Sequence, residues 1–197
     1  MIAVVNFIIM IVAGVLMSVL YVISVSPAQL EKKIGERAYK LCGMLRTISM
    51  IFLLIVIINY VIYKFYPIQL PFPSTFPWPY WVSLVIAAII GIPSMLLMIL
   101  GILDAGAEAT APSKQHTMYR GIYDKIRHPQ AAGELPLWFS IGFLIHSPHM
   151  VLFSIIWIPV WYWWCLAEEK DLLIRYGNAY KEYMKHTGRF FPKRNSE

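Results

Sequence analysis

The apolar runs constrain this chain more than anything else in it. Stretches of about twenty residues with few or no charges recur along its length, enough for a helix to cross a hydrocarbon layer of roughly 30 Å. Of 197 residues, 58% are hydrophobic and only 14% charged. A soluble domain of this size would need more charged surface than that. The mean hydropathy of +0.59 therefore belongs to an all-α integral membrane protein with about five transmembrane helices. The spans read as Ala3 to Val25, Leu45 to Tyr63, Tyr80 to Leu103, Pro129 to Ile145 and Met150 to Leu166. Pro93 is expected to kink the third, and Pro129 and Pro148 suit helix starts, where a missing N–H costs nothing. His146-Ser147-Pro148-His149 is so short a link that the last two spans must be antiparallel neighbours. No Lys or Arg precedes the first span, so it lacks a signal peptide's basic flank and reads as permanent.

Charge sets the topology. All of the 17 Lys and Arg residues except Lys64 fall in the first loop, the third connection or the C-terminal tail. Basic residues collect on the cytoplasmic side, which puts the N-terminus outside in a multi-pass cell-membrane protein. The net charge of +6 follows from this topology, and no nucleic-acid partner is needed to explain it. The loop from Pro67 to Pro79, with Phe72, Phe76 and Trp78, reads as a stiff interfacial collar. Cys42 and Cys165 offer neither a disulfide framework nor metal-ligand spacing, so no metal site is expected. Asn59, His146 and His149 read as structural polar groups near the outer face.

The chemistry is crowded after Asp104, which divides the chain into three N-terminal spans (1–103) and a catalytic region (104–197). Arg127 and His128 stand at the start of the fourth span, where free backbone N–H groups and a guanidinium favour an anion. A snorkelling Arg with a capping His is the simpler reading. Glu168 and Glu169 follow the fifth span. A helix C-terminus disfavours anions, so a cation is expected nearby, either Arg127 or Lys125 or a cationic group on a ligand. Glu134 lies inside the fourth span, where a carboxylate is either paired or functional. Asp104 and Glu108 are placed to pair with the basic connection. In the tail, Leu172, Leu173, Tyr176, Tyr180 and Tyr183 fall at helical spacing, with a break at Gly177 and a stop at Pro192.

Taken together and in order, these pieces resemble one family. Gly121 and Tyr123 form G-x-Y, and Arg127-His128-Pro129 begins R-H-P-x-Y. Glu168–Glu169 is the paired-glutamate element, and Tyr176-Gly177 with Tyr180 and Tyr183 gives the F/Y-G-x-x-Y-x-x-Y tail. The C-terminal half is similar to the isoprenylcysteine carboxyl methyltransferase and phospholipid methyltransferase superfamily of membrane enzymes. The resemblance implies S-adenosylmethionine as cofactor, S-adenosylhomocysteine as product, and cofactor contacts from Gln115, His116, Thr117 and Met118. Two positions depart from the pattern: Ala131 replaces the Tyr of R-H-P-x-Y, and Trp163-Trp164-Cys165 stands where the isoprenylcysteine enzymes carry a substrate-holding Arg.

The residues suit that chemistry. Glu168 matches the cofactor's ammonium, the His128–Pro129 helix start its carboxylate, and Tyr123 with Gln115–Met118 its adenine. No G-x-G-x-x-G fingerprint is present. Arg127, Glu134 and Glu169 are the candidate catalytic residues, Glu134 or Glu169 serving as base if the acceptor is an amine. The expected enzyme is of the isoprenylcysteine carboxyl type, acting on a lipidic or prenylated acceptor among membrane lipids. A phospholipid amine methyltransferase and an NADPH-dependent sterol or enone reductase are the alternatives, and a small transporter or scaffold is the non-enzyme reading. Acids gathered at one membrane face rather than at mid-depth argue against a transporter.

Overall fold

A computed structural model describes residues 1–118 and 120–193. Its helices are α1 (Ile2–Ser24), α2 (Pro27–Ile34), α3 (Arg37–Phe65), α4 (Tyr80–Ala105), α5 (Pro129–Leu144), α6 (Pro148–Phe153), α7 (Trp157–Tyr176) and α8 (Asn178–His186), with short 3-10 turns at Gly106–Ala109, Gly121–Asp124 and Ser154–Ile156. Among the described residues, four helical stretches are long and apolar enough to cross a membrane: Ile2–Ser24, Arg37–Phe65, Tyr80–Ala109 and Pro148–Tyr176. The expected fifth span, α5, has 16 residues and reaches only about 24 Å at 1.5 Å per residue. It still runs antiparallel to α4 along most of that helix. At one end Gln130 Nε2 meets the Gly101 carbonyl at 3.2 Å, and at the other Tyr80 Oη donates to the Leu144 carbonyl at 2.9 Å.

Small residues allow this approach. A Cβ on Gly133 would stand 2.5 Å from both Met98 N and Ser94 O, so the two backbones touch there, as small-residue membrane interfaces permit. Ser140 Oγ adds a bond of 2.8 Å to the Ala87 carbonyl.

The core lies between α1, α3, α5 and α7, around Met10, Met17, Val56, Tyr60, Trp138, Trp157 and Trp161. Several of its polar atoms find partners inside the bundle, as hydrocarbon requires. Trp157 Nε1 donates to Tyr60 Oη at 3.0 Å, and Ser154 Oγ donates to the Trp138 carbonyl at 3.1 Å. The outer surface is inverted relative to a soluble protein, with Ile51, Ile89, Leu96 and Leu103 all more than half exposed. The collar is tied to the α5–α6 turn. Phe76 stacks on Trp78 and Phe143 at 4.4 and 5.2 Å, and His149 Nε2 donates to the Phe72 carbonyl at 3.2 Å.

Two boundaries differ from the sequence reading in ways that matter for the site. The second span does not begin at Leu45: α3 starts at Arg37, so Arg46, counted with the basic residues of the first loop, stands well inside a helix instead of at its edge. Likewise, Glu168 and Glu169 do not sit at a helix end. Pro159 lacks the N–H that Ile155 O would accept, and the chain breaks upstream, through the 3-10 turn Ser154–Ile156. From Trp157, α7 then runs unbroken to Gly177, whose φ of 55° ends it. The acids are therefore mid-helix, and the helix dipole gives no reason for a cation beside them. Direct pairing does.

Candidate active site

The segment before α5 is fixed from three sides. Gly121 has φ 69°, which favours glycine, and a Cβ there would collide with the Asp104 carboxylate. Asp104 instead accepts from Ile122 N at 2.7 Å. Tyr123 is buried, and its hydroxyl donates to the Gly101 carbonyl at 3.1 Å while Gln130 Nε2 donates to it at 2.9 Å. From the tail, Tyr183 Oη donates to Tyr123 O at 2.6 Å. The tail also pairs with the segment itself, Arg127 N donating to Gly188 O at 2.8 Å and His128 N to Arg189 O at 3.1 Å. The start of α5 and the tail beyond α8 thus form one unit against α7.

The two glutamates, one residue apart, have different surroundings. Glu169 is buried and receives Arg127 Nε at 2.9 Å, Arg189 Nη2 at 2.7 Å and His128 Nε2 at 3.1 Å. Arg127 Nη1 donates to the Thr187 and Met184 carbonyls. Glu168 Oε2 stands 3.4 Å from His128 Nδ1 and lines a cavity together with Tyr123, Arg127, His128, Glu134 and Arg46. Glu169 is not part of that lining.

With a carboxylate on each ring nitrogen, His128 needs a proton on both, which makes it an imidazolium. Burial works against the charged ring, but hydrogen bonding to Cys165, Glu168 and Glu169 outweighs it and holds the His128 pKa well above its ordinary value. A group whose folded pKa is raised contributes fully below its unfolded pKa of about 6.5 and loses that contribution as pH rises through the folded value. The melting temperature of wild type should therefore exceed that of His128→Gln most at mildly acidic pH, with the gap closing as the buffer becomes alkaline. A gap that widened with pH would mean a neutral ring.

The cavity is narrow, about 50 Å³, room for a water or two rather than a nucleotide. Its cover is the segment after α4. Buried Glu108 on this segment accepts from Arg175 Nη1 at 2.5 Å and from Ser113 N at 3.0 Å, and Lys114 pairs with Glu31 at 2.6 Å. Gln115, His116, Thr117 and Met118 come next along the chain and do not line the cavity. The His116 carbonyl accepts from Tyr176 Oη at 3.0 Å, and Met118 packs near Tyr180 and Tyr183. Pro129 is buried against Gly101 as the first residue of α5.

Arg46, Tyr21 and Trp164 also line the cavity, and none of them was singled out from the sequence as a site residue. Tyr21 and Trp164 form an aromatic wall with centroids 4.4 Å apart. An Arg inside an otherwise apolar run is the signal that was available for Arg46.

Glu134 lines this cavity and a second one. The second is an apolar groove of about 650 Å³ along α4 and α5, walled by Leu84, Ile92, Met95, Leu137 and Ile141 and reached by Ile57 of α3. Ile92 and Leu96 on its margin are about 60% exposed, which places its mouth on the lipid-facing side.

Residues 82–179, about half of the chain, match the family model described as phospholipid methyltransferase. This segment belongs to that family. No match to the chain was found among curated proteins or among solved structures. The family lies within the isoprenylcysteine and phospholipid membrane methyltransferase superfamily, so the chain is read as a multi-pass membrane methyltransferase rather than a reductase or a scaffold. The matched stretch includes every candidate site residue named from the sequence. Arg46 and Tyr21 lie outside it, in the N-terminal half.

Proposed function

We propose that the protein is an S-adenosylmethionine-dependent methyltransferase whose acceptor is the amine headgroup of a membrane lipid, with its basic end and active site facing the cytoplasm. The observation that carries this reading is Glu134, a carboxylate on the shared wall of a polar cavity and an apolar groove.

The donor set of the polar cavity fits the cofactor. Glu168 suits the ammonium, the unpartnered buried Nε of Arg46 suits a carboxylate, and Tyr21, Tyr123 and Trp164 suit a flat base. When bound, S-adenosylmethionine supplies a sulfonium methyl group that an acceptor atom displaces, the electron pair staying on sulfur. The protein's own work is positional. The Arg127–Glu169–Arg189–His128 network holds Glu168 at the cavity wall, and the groove takes acyl chains from the bilayer and brings a headgroup to Glu134. Fixed alignment of this kind contributes on the order of 7–11 kcal/mol.

Glu134 separates the two acceptor chemistries. A carboxylate acceptor would meet a like charge there and would need no base. An amine acceptor meets a hydrogen-bond acceptor and a place for the proton it must give up. The absence of an Arg at Trp163-Trp164-Cys165 points the same way, since a carboxylate acceptor has no counter-ion on that turn.

The test is transfer of radiolabelled methyl by purified protein to vesicles containing phosphatidylethanolamine, with phosphatidylcholine vesicles and a farnesylcysteine carboxylate as comparisons. Label in the ethanolamine lipid is the expected result. A base-labile methyl ester on farnesylcysteine would overturn the amine assignment but not methyl transfer. If S-adenosylhomocysteine also failed to raise the melting temperature, the cofactor assignment itself would fall.

A further inference from the structure

The cavity contains a cation that the methyltransferase segment does not supply. Arg46 comes from α3, is 8% exposed, and lines the same cavity as Glu168, His128 and Glu134. Two of its three nitrogens are engaged. Nη1 donates to the carbonyls of Glu108 and Ala109 at 2.5 and 3.2 Å, and Nη2 donates to the Ser24 carbonyl at 3.1 Å. All three acceptors are neutral backbone oxygens. Nε is buried with no partner, and an orphaned donor on a buried guanidinium is costly. No carboxylate forms an ion pair with Arg46 among the described residues, whereas Arg127 and Arg189 share Glu169 and Arg175 takes Glu108. The charge of His128 is likewise taken up by Glu168 and Glu169.

We infer that Arg46 is the binding residue for the α-carboxylate of the cofactor, so that the N-terminal helices complete a site whose remaining parts lie in the C-terminal half. This inference rests on the methyltransferase reading above. Glu168 and Arg46 face one cavity with opposite charges, which matches a ligand end group carrying an ammonium and a carboxylate on the same carbon. The bonds from Nη1 to Glu108 and Ala109 give Arg46 a second role: they hold down the cover over the narrow cavity.

The experiment is a two-by-two comparison by calorimetry on the full-length protein in detergent. The ligands are S-adenosylhomocysteine and its decarboxylated analogue, which keeps the ammonium and the adenosine; the proteins are wild type and Arg46→Gln. Charge-assisted hydrogen bonds of this kind are worth roughly 10- to 100-fold in affinity. Wild type should prefer the intact ligand by about that factor, and the variant should bind both ligands alike. Decarboxylation costing the variant as much as it costs wild type would overturn the assignment, and so would equal binding of the two ligands by wild type. If Arg46→Gln fails to fold, Arg46→Lys takes its place; it keeps the charge and loses the fork, and its discrimination should fall between the two. If wild type binds neither ligand, the methyltransferase reading fails, which is a different outcome from binding without discrimination.

Discussion

Glu169→Ala is expected to lower the melting temperature by on the order of 10 °C, the largest stability loss of any single change at the site. Glu169 is the common acceptor for Arg127 and Arg189, and its side chain is 5% exposed against 8% and 23% for theirs. Truncating it leaves one guanidinium buried without a counter-ion and a second partly so. Removing one partner of a buried pair costs about 3–5 kcal/mol, at roughly 2–4 °C per kcal/mol for a chain of this length. The damage should not stay local. Arg127 also holds the tail through Met184 and Thr187, so the tail should become sensitive to protease. Two controls bracket the result. Glu182→Ala removes an exposed pair with Lys185 and should leave the melting temperature unchanged. Glu168→Gln should also melt close to wild type but no longer bind S-adenosylhomocysteine. If Glu168→Gln were the unstable variant and Glu169→Ala the one that failed to bind, the roles given to the two acids would be reversed.

That division between neighbouring acids was not legible in the sequence. Adjacent residues on a helix point about 100° apart. Which of them meets the cavity depends on the rotation of α7, set by the packing of Trp157, Trp161 and Trp164 against Trp138 and Tyr21. Apolar periodicity carries no such information in a helix that is apolar all round. What the sequence did carry were features with direct physical meaning along the chain. Runs of spanning length located four crossing helices. Pro129 and Pro148 marked helix starts, and the bias of basic residues to one end placed Arg127-His128 and the acidic pair on the same face. Arg46 escaped because its partners are remote: Ser24 is 22 positions away and Glu108 is 62. Counted as a loop cation, it had no reason to be buried. The role of Glu134 was only half legible. An intramembrane carboxylate was visible, but its place on a wall between two cavities depends on the close contact of α4 and α5 at Gly133.

Glu134→Gln is where the largest catalytic effect should appear. The substitution keeps the size and one hydrogen-bonding oxygen while removing the ability to accept a proton at neutral pH. If the acceptor is a lipid amine whose proton passes to Glu134, turnover should fall by about 10²- to 10⁴-fold, the usual worth of a positioned base. Affinity for S-adenosylhomocysteine should stay within a few fold, because Glu168 and Arg46 are untouched. Binding and turnover must be measured on the same preparation, since Glu134 neighbours Gly133 at the tightest point of the α4–α5 contact and a packing defect would lower both. The direction of the change also tests the acceptor. A carboxylate acceptor needs no base and gains from losing a like charge beside it, so Glu134→Gln would then hold or raise the rate. Turnover within about threefold of wild type, with binding intact, would leave the junction carboxylate without a part in proton transfer and return the carboxyl acceptor to first place.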